Sequence, residues 1–190
     1  QIVKAPLIVH RVSKKDPDHV VTRNVVQAYH DWIAVALDRW QTHTEFYEDL
    51  GQKPVLFIMC ERTSYADAIA EHIRKQTHLG EDEVLLIHTD AQGHLTKKYL
   101  DRARDAAREV DKPKSPGKII VSVLMLREGW DVKNVTVVLG LRPFTSRAEI
   151  LPEQAIGRGL RVMPNISPDN RQTLEVIGTE AFEDFVRQLE

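Results

Sequence analysis

The chain has 190 residues and a net charge of −2. That is enough for one domain with a real core, and too little positive charge to coat nucleic acid over the whole surface, so any anion site must be local. A single cysteine, Cys60, excludes a disulfide framework and a cysteine-based zinc centre, and the eight histidines form no metal-ligand spacing such as HExxH.

No apolar run approaches the roughly 20 residues that span a bilayer. With one cysteine and no signal peptide, a cytoplasmic setting is expected. The first residue is Gln1 rather than Met, so the chain is expected to be a piece of a longer polypeptide.

In chain order, "APLIVHRV" (5–12) predicts a short strand and "SKKDPD" a polar hinge. From about Asp18 to Leu50, residues Tyr29, Trp32, Ile33, Ala36, Leu37, Trp40 and Tyr47 recur at helical spacing, and Gly51 ends the pattern. Two tryptophans on one stripe could stack bases. The stripe continues well past the aromatics, which favours a helix packed on the domain. These first 50 residues are expected to be a strand and a long helical arm joining from a preceding domain; residues 51–190 are expected to form the main domain.

The pattern then changes. "PVLFIM" (54–59), "EVLLIH" (83–88), "KIIVSV" (118–123) and "NVTVVLGL" (134–141) are short apolar runs, as in strands buried on both faces of a parallel sheet. Between them lie "SYADAIAEHIRKQ" (64–76), a helix with Thr63 or Ser64 as its expected cap, and "LTKKYLDRARDAAREV" (95–110), a helix whose interleaved charges form a solvated face. A helix from about Pro152, the strand "LEVIG" (174–178) and the helix "EAFEDFVRQLE" complete the pattern. Alternation of this kind implies an α/β fold with a mostly parallel sheet covered on both faces, with ligands at the carboxyl ends of the strands.

Three segments follow predicted strands directly or closely. "MCERTSYAD" contains Thr63. "VSVLMLREGWDVKNV" contains Ser122, Gly129 and Asp131. "ILPEQAIGRGLRVM" (150–163) puts Gln154, Arg158 and Arg161 at spacings of four and three, one face of a helix. Gly157 and Gly159 would each cost that helix about 1 kcal/mol relative to Ala. They do not make a dinucleotide loop, since Val162 stands where the third glycine belongs. Between 142 and 161 the basic residues are all arginines, the side chain suited to gripping phosphate oxygens with a planar fork. Spacing alone is equally compatible with an ordinary surface helix. Ser122, set among apolar residues, is either a satisfied buried hydroxyl or a phosphate contact.

Taken together these segments resemble the second RecA-like domain of superfamily 2 helicases and translocases. "PVLFIMCERTSYADAIAEHI" resembles motif IV with its following helix, "VSVLMLREGWDVKNV" motif V, and "EQAIGRGLR" the Q-x-x-G-R-x-x-R of motif VI. The wording "GWDVKNV", "PEQAIGRGLR" and "LEVIGTEAFEDFV" resembles the helicase subunit of type III restriction enzymes.

The resemblance implies that Arg158 and Arg161 face the γ-phosphate of ATP held by a preceding RecA-like domain, with Arg161 as arginine finger. Gln154, Gly157, Gly129 and Asp131 would lie toward the nucleotide, and Thr63 and Ser122 would contact the nucleic-acid backbone. It implies ATP and Mg as cofactors, double-stranded DNA and a methyltransferase subunit as partners, and a nuclease domain beyond residue 190. This stretch carries no G-x-x-x-x-G-K-[ST], and no DExx box follows a predicted strand, so by itself it is expected not to hydrolyse ATP. The rival readings are a passive nucleic-acid-binding module, and a stand-alone nucleotide-binding enzyme, against which the missing glycine-rich loop argues.

Overall fold

The computed structural model describes residues 4–9, 24–88, 97–123, 132–141, 161–178 and 187. Among them, strand β1 is Ala5–Ile8, followed by helices α1 (Val25–Ala28) and α2 (His30–Glu48). Then come β2 (Val55–Cys60), α3 (Thr63–Thr77), β3 (Val84–Ile87), α4 (Lys97–Arg108), β4 (Ile119–Ser122), β5 (Val135–Leu141) and β6 (Thr173–Gly178).

The six strands form one sheet in the order β1-β6-β5-β2-β4-β3, and every pair is parallel. The expected α/β fold is present, with helices on both faces. The apolar runs lack alternation because both faces are covered. Leu56, Ile58 and Cys60 of β2 point to a core shared with α1, α2 and α3, whereas Val55, Phe57 and Met59 point to the core shared with α4. A fully buried side chain such as Ile58 or Ile69 contributes roughly 1.5–3 kcal/mol. The exposed pairs on α4, Arg104–Asp101 at 3.4 Å and Arg108–Asp105 at 3.5 Å, contribute about 0–1 kcal/mol each. Burial therefore dominates, and the α4 charges form the expected solvated face.

The residues before β2 are part of the same sheet system. β1 is an edge strand against β6, and α2 packs on β5, β2 and β6. The helical pattern is broken at Tyr29, which separates α1 from α2. The tryptophans of α2 face inward. Trp32 Nε1 donates to the Gly178 carbonyl at 3.1 Å and Trp40 Nε1 to the Pro54 carbonyl at 3.1 Å, so both indoles hold the helix on the sheet. Gly51 follows α2 at φ 65, a conformation that glycine adopts without a Cβ clash.

At the amino ends of the strands, Val55 pairs with Val135 and Leu56 with Val137, leaving Thr136 as the extra residue of a bulge. Fully buried Lys4 reaches past β6 to this point; its Nζ donates to the carbonyls of Lys133 (2.5 Å) and Val135 (2.6 Å). Burial lowers the Lys4 ammonium to a pKa of about 7.

Strand order fixes where a ligand crevice opens. The chain leaves β2 through α3 toward β3 on one side, and leaves β5 toward β6 on the other. The carboxyl ends of β2 and β5, where Cys60 pairs with Leu141, are therefore the topological switch point.

Candidate functional site at the carboxyl ends of the central strands

β5, β2 and β4 are neighbours at the centre of the sheet, with Cys60 beside Leu141 and Met59 beside Ser122. The chain leaves their carboxyl ends at Glu61, Val123 and Arg142. The first two of the segments picked out by their residues run through the ends of β2 and β4, and the third begins at Ile150, nine positions after β5 ends.

At the end of β2 the helix begins earlier than expected. Its cap residue is Arg62, in extended conformation (φ −134, ψ 152), and Thr63 is already the first helical residue. The Arg62 carbonyl accepts from the backbone N–H groups of Tyr65 (3.1 Å) and Ala66 (3.0 Å). No side chain caps the helix, so neither Thr63 nor Ser64 is the cap. An uncapped start leaves first-turn N–H groups directed at the switch point with the positive end of the helix dipole. Arg62 stands beside it, its guanidinium carbon 5.6 Å from the Tyr65 ring centroid and Nη2 3.6 Å from Glu61. The sequence reading passed over Arg62, although it adjoins Thr63 in "MCERTSYAD".

Ser122 ends β4, with Met59 and Ile87 as register neighbours. It is 2% exposed and its Oγ has no hydrogen-bond partner among the described residues. An unpaired buried hydroxyl is unfavourable by about 1–3 kcal/mol, which calls for an explanation.

His88, just beyond β3, is also buried. Its Nε2 lies 2.9 Å from Asp67 Oδ1 on α3, and its Nδ1 has no partner among the described residues. This pair ties the first turns of α3 to the end of β3. Nothing in the sequence marked it beyond a histidine following an apolar strand. Cys60 is buried and its thiol is pushed up by desolvation, so it stays an inert thiol.

Arg161 is exposed but not helical, and the expected helix face does not reach it. The residues that follow explain why. Met163 precedes Pro164, a position that disfavours helical backbone. Buried Gln172 then holds Met163 at both ends: the Met163 N–H donates to Gln172 Oε1 at 2.7 Å and Gln172 Nε2 donates to the Met163 carbonyl at 3.1 Å. Gln154, Gly157 and Arg158 lie outside the described residues, as do Gly129 and Asp131. Among the described residues no group of three or more His, Cys, Asp or Glu could hold a metal ion, and no helix is long and apolar enough to cross a membrane.

No family model matches the chain, and no curated protein matches it. Solved structures do. Domain 2 of the DEAD-box helicase Mss116p bound to an RNA duplex superposes with a TM-score of 0.48 at 14% identity, covering 84% of this chain and 55% of that one. Dbp5 of S. cerevisiae, in a variant bound to Gle1 and IP6, gives a TM-score of 0.48 at 18% identity, covering 81% of this chain and 36% of that one. The chain therefore spans about half of the first protein and about a third of the second.

Proposed function

We propose that this chain is the second RecA-like motor domain of an ATP-dependent superfamily 2 DNA translocase or helicase, of the kind found in type III restriction enzymes. The observation that carries this reading is the convergence of three strand ends. β2, β4 and β5 are adjacent and parallel, so the segments resembling motifs IV and V leave the sheet at the same end, beside the end of the strand that precedes the motif VI segment in the chain; of that segment, 150–160 lie outside the described residues.

In this reading, ATP and Mg are held chiefly by a preceding RecA-like domain, to which residues 1–50 lead. Magnesium supplies charge neutralisation on the β- and γ-phosphates. Arg161 and Arg158 reach across to the transferred phosphoryl, and Gln154, Gly157, Gly129 and Asp131 line the nucleotide side. The exposure of Arg161 supports its part. Thr63, at the uncapped start of α3, and Ser122, with its unpaired hydroxyl, meet the nucleic-acid backbone, and a phosphate oxygen would supply the partner that Ser122 lacks. A methyltransferase subunit provides sequence recognition.

The deciding experiment is steady-state ATP hydrolysis by the parent enzyme at saturating DNA. Arg161→Ala is expected to lower turnover by about 10³–10⁵, the range for arginine fingers, with DNA binding retained. Arg161→Lys is expected not to restore it, because a point charge does not reproduce the planar fork. Near wild-type turnover by Arg161→Ala would refute the arginine-finger role and make Arg161 structural, whereas a parent with no ATP-dependent movement on DNA would leave the passive nucleic-acid module.

A further inference from the structure

A second pocket lies away from the switch point, between the C-terminal half of α2 and the start of β6. Its volume is about 230 Å³, and Arg39, Phe46, Tyr47, Arg171 and Glu175 are among its lining residues. The floor is an ion pair. Glu175, 4% exposed, takes Arg39 Nε on Oε2 and Arg39 Nη2 on Oε1, both at 2.6 Å, with His43 Nε2 3.1 Å from Oε1.

That pairing neutralises the Glu175 charge and engages Nε and Nη2 of Arg39, so Nη1 is the nitrogen of this lining guanidinium that Glu175 does not hold. Arg171 at the rim has no acidic partner among the described residues, so the lining carries a surplus positive charge. One wall is aromatic. Phe46 is 55% exposed although it sits edge-on to buried Tyr47, with centroids 4.9 Å apart. Phe46 and Leu7 are the exposed large hydrophobics among the described residues, and Leu7 is the register partner of Glu175 on β1. An exposed ring and two guanidiniums, one of them with no acidic partner among the described residues, thus share one concavity. At this size it is smaller than the roughly 300–1,000 Å³ of drug-sized sites, which limits the ligand to one ring and one charged group.

We propose that this pocket binds a small aromatic phosphate monoester. Its ring would lie against Phe46, and its phosphoryl oxygens would span the forks of Arg171 and Arg39 Nη1. A phosphate has enough oxygens to engage both forks, and guanidinium is the side chain suited to it. The site is separate from the ATP cleft: it sits at the amino-terminal half of β6, whereas the switch point is at the carboxyl ends.

The test is calorimetric titration of the 190-residue chain with phenyl phosphate, inorganic phosphate and phenol. Phenyl phosphate is expected to bind at least tenfold tighter than either of the others. Arg171→Gln is expected to weaken it about tenfold, and so is Arg171→Lys, which keeps the charge but loses the fork. Phe46→Ala is expected to bring phenyl phosphate down to the level of inorganic phosphate without changing the latter. Thermal melting separates lost binding from lost folding. Phenyl phosphate and inorganic phosphate binding equally, no saturable binding of either, or unchanged binding by folded Arg171→Gln would each overturn the proposal. Arg161→Ala is expected to bind phenyl phosphate as the wild type does, so the outcome is independent of the motor assignment.

Discussion

Arg39 and Glu175, 136 positions apart in the chain, are joined by two 2.6 Å hydrogen bonds that fasten α2 to β6. Burial by itself would raise the Glu175 carboxyl. The two hydrogen bonds from Arg39, with His43 Nε2 close by, outweigh it and hold the pKa at about 2. The fold thus contains an ion pair between the helix that precedes the first central strand and the last strand of the sheet.

Breaking it is expected to be expensive. Arg39→Met leaves a buried carboxylate without its main partner. The loss is expected to be roughly 2–3 kcal/mol at pH 7, below the largest values for buried pairs because the Arg39 side chain is 37% exposed. The Glu175 pKa is depressed from 4.5 on folding, so its contribution is present above pH 4.5 and fades as pH falls toward 2. Urea denaturation at pH 7 and pH 3 should show the variant and wild type converging at the lower pH; an equal gap at both would contradict this account.

Lys4 acts in a different pH window. Its ammonium ionises at about 7 when folded, against 10.5 in an exposed lysine. Between those values the unfolded chain holds a proton that the folded chain has released, so stability rises with pH. The expected gain from pH 7 to pH 9 is about 2 kcal/mol, and Lys4→Met should flatten it. Denaturation midpoints across that range provide the measurement.

For Ser122, folding and function should separate. Ser122→Ala removes a buried hydroxyl that has no partner, and is expected to leave stability unchanged or raise it by about 1 kcal/mol. In the parent enzyme the same change should weaken DNA binding and DNA-stimulated ATP turnover severalfold. A variant that is both less stable and fully active would show that the hydroxyl is structural.

Gln172 connects the two kinds of residue. Its amide holds both backbone groups of Met163, two positions beyond Arg161. Gln172→Ala strands a buried N–H and should destabilise by about 1–3 kcal/mol. At a temperature where the variant is fully folded, ATP turnover by the parent should still fall with KM for ATP little changed, because the arginine is misplaced rather than removed. Unchanged kcat would free Arg161 from this clamp.

The isolated chain should bind DNA weakly and without sequence preference. The contacts proposed at the switch point are mainly hydroxyls and helix N–H groups, with Arg62 as the nearby cation. A plot of log affinity against log salt is expected to have a slope no steeper than about −2, since the slope counts neutralised phosphates. A slope near −6 would require a basic surface elsewhere.

What the sequence determined by itself was the kind of fold and the places to look. Continuous runs such as "VLFIMC" and "VTVVLGL" read as doubly covered parallel strands because both of their faces must leave water. The helix in front of them read correctly as a packed stripe. Local signals were less complete at element ends. The α3 cap fell to Arg62, whose extended backbone supplies the first carbonyl, and the helical periodicity drawn through Arg161 yielded to Pro164 and to Gln172.

Only the tertiary structure decided which strands are neighbours, and with that, which segments share an end of the sheet. The pairing of Cys60 with Leu141, 81 positions later in the sequence, leaves no local pattern, because hydrogen bonds between distant strands are made by backbone groups that every residue carries. The same holds for the Arg39–Glu175 pair and the pocket above it. Arg39 reads as one more charge on a long helix and Glu175 as a polar interruption in a strand, until packing brings them within 2.6 Å in a place that excludes water.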